Sequence, residues 1–311
     1  MSDDDKAGSG FAGRLRRALL IAVPYLWLGL FFLAPFVIVL KISLSDSVLA
    51  IPPYTPTFDP SRGWEGIAAM FRAFDFENYV WLSEDDLYWQ AYLSSLRIAA
   101  LSTLLTLLAG YPIAYAMSRA PERWRPILLM LVILPFWTSF LIRVYAWMGI
   151  LGQNGYLNQF LIWLGLIDTP LVILGTPVAV YIGIVYAYLP FMVLPIFSSL
   201  DRLDRSLIEA ALDLGCSRLQ AFWLVTWPLS RPGIIAGCLL VFIPAVGEFV
   251  IPSLLGGSRT LMIGKVLWDE FFANRDWPLA SAVAVVLLLI LVLPILLFQR
   301  HAERQQRRAE E

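Results

Sequence analysis

Two ionisable side chains stand inside long apolar runs: Glu248 in PAVGEFVIP and Arg143 in FLIRVYAWM. A charge in hydrocarbon is expensive, so such residues pair with one another or line a route for a polar solute. At 1.5 Å per residue, Glu248 lies about fifteen residues, or roughly 22 Å, into its run. Arg143 lies at a similar depth in a run crossed in the same direction. Two uses fit that placement. The pair forms a structural ion pair near one boundary, with Arg143 also long enough to snorkel outward. Alternatively Glu248 faces a pathway, on backbone distorted by Pro244 and Gly247, and attracts an ammonium group. Aromatic faces serve the same end, because a ring's negative face holds a cation that has shed its water. Trp137, Tyr145, Trp147, Tyr186 and Tyr188 are the candidates, core packing or an interfacial belt being the other use of each. Asp269 and Glu270, in a polar connection, either guide cations or are simply solvated.

Catalytic chemistry has no comparable foothold. A phosphate cradle needs Gly-x-x-x-x-Gly-Lys-Ser/Thr, but around Gly264 and Lys265 the first glycine is replaced by Arg259 and the hydroxyl by Val266. The single histidine is His301, and neither HExxH nor Gly-x-Ser-x-Gly occurs. The two cysteines, Cys216 and Cys238, offer neither a disulfide framework nor a metal-ligand spacing. The sequence therefore predicts no catalytic residue, no metal ligand and no cofactor bound by this chain.

These side chains must be held across a bilayer. With 59% hydrophobic and 15% charged residues, the chain departs from soluble proteins, which run at about a quarter charged. A net charge of −1, with basic residues gathered at the ends of apolar runs, excludes a nucleic-acid surface. Runs near the ~20 residues that cross ~30 Å of hydrocarbon predict an all-α membrane protein. Its six spans fall at 18–41, 92–118, 127–151, 171–198, 232–255 and 279–298. The first is too long for a signal-peptide core and lacks an Ala-x-Ala site, so it reads as a retained span. Basic residues cluster on one side: Lys6, Arg14, Arg16 and Arg17; Arg119, Arg123 and Arg125; Arg202, Arg205, Arg218 and Arg231; then Arg300, Arg304, Arg307 and Arg308. The connection 152–170 has none. The tails 1–17 and 299–311 and the hairpin 201–231 are accordingly expected in the cytoplasm, and the loop 42–91 outside. That loop is rich in proline and aromatic residues and predicts either an interfacial amphipathic helix around Trp64 to Phe74 or an irregular cover. Prolines punctuate the spans at 112, 135, 190, 195, 244, 252 and 294. Each frees a carbonyl that neighbours must satisfy.

The segment EAALDLGCSRLQAFWLVTWP, Glu209 to Pro228, is a semi-polar island among these runs. Ser206 with Glu209 fits a capping box, and Gly215 is placed to close the short helix in a left-handed turn. A second segment from Ser217 to Thr226 is expected to end at Pro228 and Pro232. Ala210 and Ala211 leave a shallow surface, and Leu207, Ile208, Leu212 and Leu214 give apolar grip. A helix this short needs packing from its own bundle or from another protein. Both readings stand on the residues alone: a docking element, or an ordinary hairpin tucked beneath the bundle.

The spacing of Glu209, Ala210, Ala211, Gly215, Val225 and Pro228 resembles the cytoplasmic signature of ABC-importer permeases, the loop that docks into a cleft of the ATP-hydrolysing subunit. Val225 stands where isoleucine is usual, and Trp227 where leucine is usual. The stretches LPFWTSFLIRVYAWMGIL, YIGIVYAYLPFMVLPI, VFIPAVGEFVIPSLLGG and DEFFANRDWPLASAVA are similar to the putrescine and spermidine permeases of bacterial polyamine importers, most of all the putrescine type. The resemblance covers the chain from roughly Tyr92 onward; the first ninety residues are less distinctive. It implies a type I importer permease in the bacterial inner membrane that forms a heterodimer with a second permease. It also implies two ATPase subunits that bind ATP and Mg, and a periplasmic polyamine-binding protein that Asp269 could contact. Without the resemblance, a stand-alone channel or secondary transporter remains open. Within it, another organic cation, an amino acid or a metal chelate is an alternative cargo.

Overall fold

The computed structural model describes residues 20–57, 63–257 and 260–292. The expected tails, with Lys6, Arg14, Arg16, Arg17, Pro294, Arg300, His301, Arg304, Arg307 and Arg308, lie outside the described residues, as does Arg259. Two compact units are present: residues 85–269, and the described residues of 1–84 together with those of 270–311.

In the second of these, α1 (Leu20–Ser43) is an apolar helix with no buried residue in its most hydrophobic window, a face suited to hydrocarbon tails. Strands β1 (Asp46–Ser47) and β2 (Tyr54–Thr55) pair antiparallel, Asp46 opposite Thr55. The Lys41 ammonium donates to the Pro56 carbonyl and lies 4.2 Å over the Tyr54 ring, tying the end of α1 to this small hairpin. Helices α2 (Gly63–Arg72) and α3 (Glu77–Glu84) follow. The Asn78 amide donates to the Ser43 and Ser45 carbonyls at 3.2 and 2.9 Å. Among its described residues the segment 42–91 therefore holds the end of α1, a hairpin, two helices and the start of the next long helix at Asp86.

The larger unit opens with α4 (Asp86–Arg119), which starts ahead of residue 92 because Asp85 caps it, accepting from the Leu87 N–H at 2.8 Å. Pro112 is absorbed within it. α5 (Arg125–Ile133) tightens into a 3-10 turn, Leu134–Trp137. α6 (Phe140–Leu151) and α7 (Tyr156–Trp163) come next. The third span, expected over 127–151, is broken into two arms, Arg125–Trp137 and Phe140–Trp163, bent by 90°. Pro135 heads the tight turn, and Thr138 and Ser139 are extended, with ψ of 151° and 136°. The fourth span also starts late, as α8 (Pro177–Asp201). Leu171 cannot join it because the Asn158 amide holds its backbone from both sides, each hydrogen bond being 2.9 Å.

α9 (Arg205–Asp213) precedes α10 (Arg218–Val246), which is continuous through a π turn at Phe222–Thr226. Pro228 and Pro232 do not break it, contrary to expectation. The wide π turn sits directly ahead of Pro228, where a regular helix would clash with the proline ring. The expected fifth span, 232–255, is instead interrupted at Gly247 to Phe249, before α11 (Val250–Leu255). α12 (Ile263–Trp268) and a π turn (Asp269–Asn274) close this part of the chain, and α13 (Trp277–Val292) is a shorter apolar helix of the other unit. Among the described residues, four helices are long and apolar enough to cross a membrane, or five with the bent pair. The expected span 279–298 runs beyond the described residues.

The core of the larger unit lies where α4, α8 and α10 meet. Tyr111, Ala114 and Met117 of α4 face Met192, Val193 and Ile196 of α8, with Ile234 and Val241 of α10 completing the cluster. The Tyr111 hydroxyl and Ser230 hydroxyl are 3.1 Å apart in this buried layer, a polar tie of the kind that fixes helix register in lipid. At the end where α4 and α8 terminate, Arg125 pairs with Asp201 at 2.7 Å and donates to the Ala120 and Ser118 carbonyls.

Candidate functional site: an exposed hairpin and a cavity between helices

The hairpin is built by its caps. Asp204, not Ser206, begins α9: its carboxylate accepts from the Ser206 N–H at 2.9 Å, so the expected Ser206–Glu209 capping box is absent. Asp204 immediately precedes the first helical residue in extended backbone, which leaves Ser206 inside the first turn. That N–H holds the Asp204 carboxyl below the usual carboxylate value. The cap is therefore fully formed above the free value and fades as pH falls through the lowered one. A capping box does form, at the head of α10, where the Ser217 N–H donates to Gln220 Oε1 at 2.8 Å and the Gln220 N–H donates to Ser217 Oγ at 3.3 Å. At the other end of α9, Gly215 takes φ +91°. The Gly215 N–H reaches the Leu212 carbonyl at 2.9 Å and the Cys216 N–H reaches Ala211 at 3.1 Å, a complete Schellman closure.

Released from capping, Glu209 lines a cleft of about 430 Å³ with Arg119, Arg205, Arg218, Ile208 and Phe222. Ala210 is exposed and Ala211 half-buried, while Leu214 and Leu219 at the hairpin tip are 86% and 68% exposed. Pro228 sits half-buried in α10 past the π turn. The hairpin thus offers a short helix, a rigid turn and uncovered leucines beside a carboxylate set among arginines.

The second site forms where two breaks, the bend at 138–139 and the end of α10, meet the middle of α8. Glu248, 8% exposed, lies just past α10 rather than deep within a continuous span. Its Oε2 accepts from the Tyr188 hydroxyl at 2.6 Å. Its Oε1 accepts from the Val250 and Ile251 N–H groups at 3.0 and 3.4 Å, so it caps α11. A cavity of about 430 Å³ opens here, walled by Phe136, Phe140, Phe191 and Phe249, with Arg143 and Glu248 both on its lining. Of the two uses open to them, the ion pair does not form: among the described residues Arg125 pairs with Asp201, whereas Arg143 and Glu248 are not joined. The Arg143 guanidinium rests instead over Phe136 and Phe140, its carbon 5.4 and 5.7 Å from the ring centres.

Of the sequence candidates, Glu248 and Tyr188 meet here. Trp147 packs edge-on against Tyr186 at 5.3 Å, away from the lining. Trp137 and Tyr145 are 75% and 56% exposed and do not line the cavity. Asp269 begins the π turn after α12 and stands apart from it. The phenylalanine walls were not anticipated. Their signal was Pro135, which marks the break that sets Phe136 and Phe140 on either side of a bend. Arg97, within α4, was also passed over; it lines a separate cleft with Gln90, Ser94, Tyr181 and Thr260.

Residues 17–308 match the family described as binding-protein-dependent transport system inner membrane component. The spermidine/putrescine transport system permease protein PotB of Escherichia coli (strain K12) is 47% identical over 237 residues, 76% of this chain and 86% of that protein. Its Haemophilus influenzae counterpart of the same name is 42% identical over 292 residues, 93% of this chain and 95% of that protein. Among solved structures, a bacterial alginate ABC transporter in complex with an alginate pentasaccharide-bound periplasmic protein matches with a TM-score of 0.66 at 17% identity. That match covers 94% of this chain and 96% of the other.

Proposed function

Since the chain belongs to the binding-protein-dependent transport inner membrane components, and within them to the polyamine permeases, we propose that it is the membrane-spanning subunit of an ATP-binding-cassette importer for putrescine and spermidine. The observation that carries this reading is the similarity to spermidine/putrescine permeases across 93% of the chain. The chain is a transporter component in the bacterial inner membrane, and its fold is that of an importer permease.

In this reading the basic ends of the spans face the cytoplasm, which puts both termini and the α9 hairpin there. α9, with Glu209, Ala210, Ala211 and Gly215, docks into a cleft of an ATPase subunit, and Pro228 carries the chain back into the membrane. Two ATPase copies bind ATP and Mg, so this chain needs no cofactor of its own. A second permease completes the pathway, and a periplasmic binding protein delivers the polyamine, with Asp269 available to meet it. The Glu248 cavity then receives the ammonium. Its carboxylate supplies the counter-charge and its phenyl walls replace lost water.

The test is reconstitution with the second permease, the ATPase and the binding protein in liposomes. ATP-dependent uptake of radiolabelled putrescine or spermidine is expected. Uptake that proceeds without the ATPase, or a complex that ignores both polyamines, would overturn the reading.

A further inference from the structure

We propose that Arg143 is a tethered stand-in for the solute: its guanidinium occupies the ammonium subsite of the Glu248 cavity, and an arriving primary ammonium must displace it. This inference rests on the polyamine reading above.

Arg143 and Glu248 line one cavity, yet their charges are not joined. Glu248 is not free to swing toward the arginine, because Tyr188 and two backbone N–H groups hold both of its oxygens. A carboxylate accepts at about four positions, so one remains for a donor that enters the cavity. Arg143 is held differently. Its guanidinium lies over Phe136 and Phe140, and its Nε is buried without a hydrogen-bond partner. A buried donor left unpaired is unfavourable, so ion pairing is not what placed it; the ring faces hold it.

Those are the contacts a polyamine end requires: two phenyl faces for the charge, a fixed carboxylate to accept an N–H, and apolar walls for the methylenes. Two cations cannot share that space without repulsion in a low dielectric. An ammonium therefore enters only as the guanidinium leaves, a movement that the flexible arginine side chain on α6 permits. The consequence is selectivity by displacement. A dilute cation does not displace Arg143, whereas a polyamine presented at high local concentration does.

The experiment uses the full permease–ATPase complex in detergent, without binding protein or ATP, and measures equilibrium binding of radiolabelled putrescine. Arg143→Gln and Arg143→Met should bind it about tenfold more tightly than wild type, and Arg143→Lys should bind as wild type does. Millimolar guanidinium should compete with putrescine in the Gln and Met variants and leave wild type unaffected. Assembled Gln and Met variants with unchanged or weaker binding overturn the inference, as does failure of both to assemble, which would make Arg143 a structural residue. ATP-driven putrescine uptake by the wild-type complex separates the outcomes. If uptake occurs and the variants bind no tighter, only the displacement inference falls; if wild type neither binds nor transports a polyamine, the functional reading falls with it.

Discussion

Glu248 serves as helix cap and as cavity charge, and one substitution separates the two. In Glu248→Gln the amide oxygen still accepts from Val250 and Ile251, and the amide nitrogen can donate to the Tyr188 oxygen, so the hydrogen-bonded frame survives without the charge. If the charge serves cation passage, ATP-driven putrescine uptake falls about tenfold or more, with the melting temperature of the complex nearly unchanged. A variant that transports normally would reduce Glu248 to a cap. At this scale the sequence was informative where chemistry is rare: a lone carboxylate in an apolar run announces itself. It was uninformative where chemistry is common, because Phe136 and Phe140 look like any lipid-facing phenylalanine until a bend sets them on the cavity beside Phe191. Nor does spacing reveal that Tyr188, sixty residues earlier, donates to Glu248.

The elements around the cavity are held by close backbone approach, which makes glycines informative. A methyl group on Gly264, in α12, would lie 2.3 Å from the Gly247 carbonyl and 2.7 Å from that of Glu248. These are backbone atoms that no rotamer change can move aside. Gly264→Ala should destabilise the complex by about 1–3 kcal/mol through overpacking, seen as a lower melting temperature and weaker putrescine uptake. Gly149→Ala in α6, where nothing lies within 4 Å, is the control and should be neutral or slightly stabilising. Equal melting temperatures for the two variants would refute the packing argument. Helix ends show how far local sequence reaches. Gly215 was legible as a closing turn because only a residue without Cβ takes φ +91° easily. The start of α9 was misread because Asp204 and Ser206 are both competent caps, and the choice between them depends on where the chain leaves α8. The 90° bend was likewise hidden: Pro135 looked like any membrane proline, and the extended residues that turn the chain are the ordinary Thr138 and Ser139.

Hairpin and cavity are joined by one rod. α10 runs 29 residues, from Arg218 beside the hairpin turn to Val246 two residues before Glu248, which at 1.5 Å per residue is about 43 Å. The sequence suggested a break at Pro228 and Pro232, and a break would have isolated the α9 hairpin from the cavity. The π turn at Phe222–Thr226 removes that break and makes a mechanical link available. Buried Gly237 and Val241 pin the rod to its neighbours, whereas Leu239 and Leu240 are 37% and 50% exposed. Replacing this exposed pair by glycines therefore softens the rod without emptying the core, at about 1 kcal/mol of helix propensity per site. If ATPase closure reaches Glu248 through α10, the double variant should hydrolyse ATP at close to the wild-type rate while moving several-fold less putrescine per ATP in proteoliposomes. The softened rod would let the hairpin move without carrying the end of α10 with it. A wild-type ratio of putrescine to ATP, in a complex that remains assembled, would show that coupling travels by another route, through α4 and α8 or through the second permease.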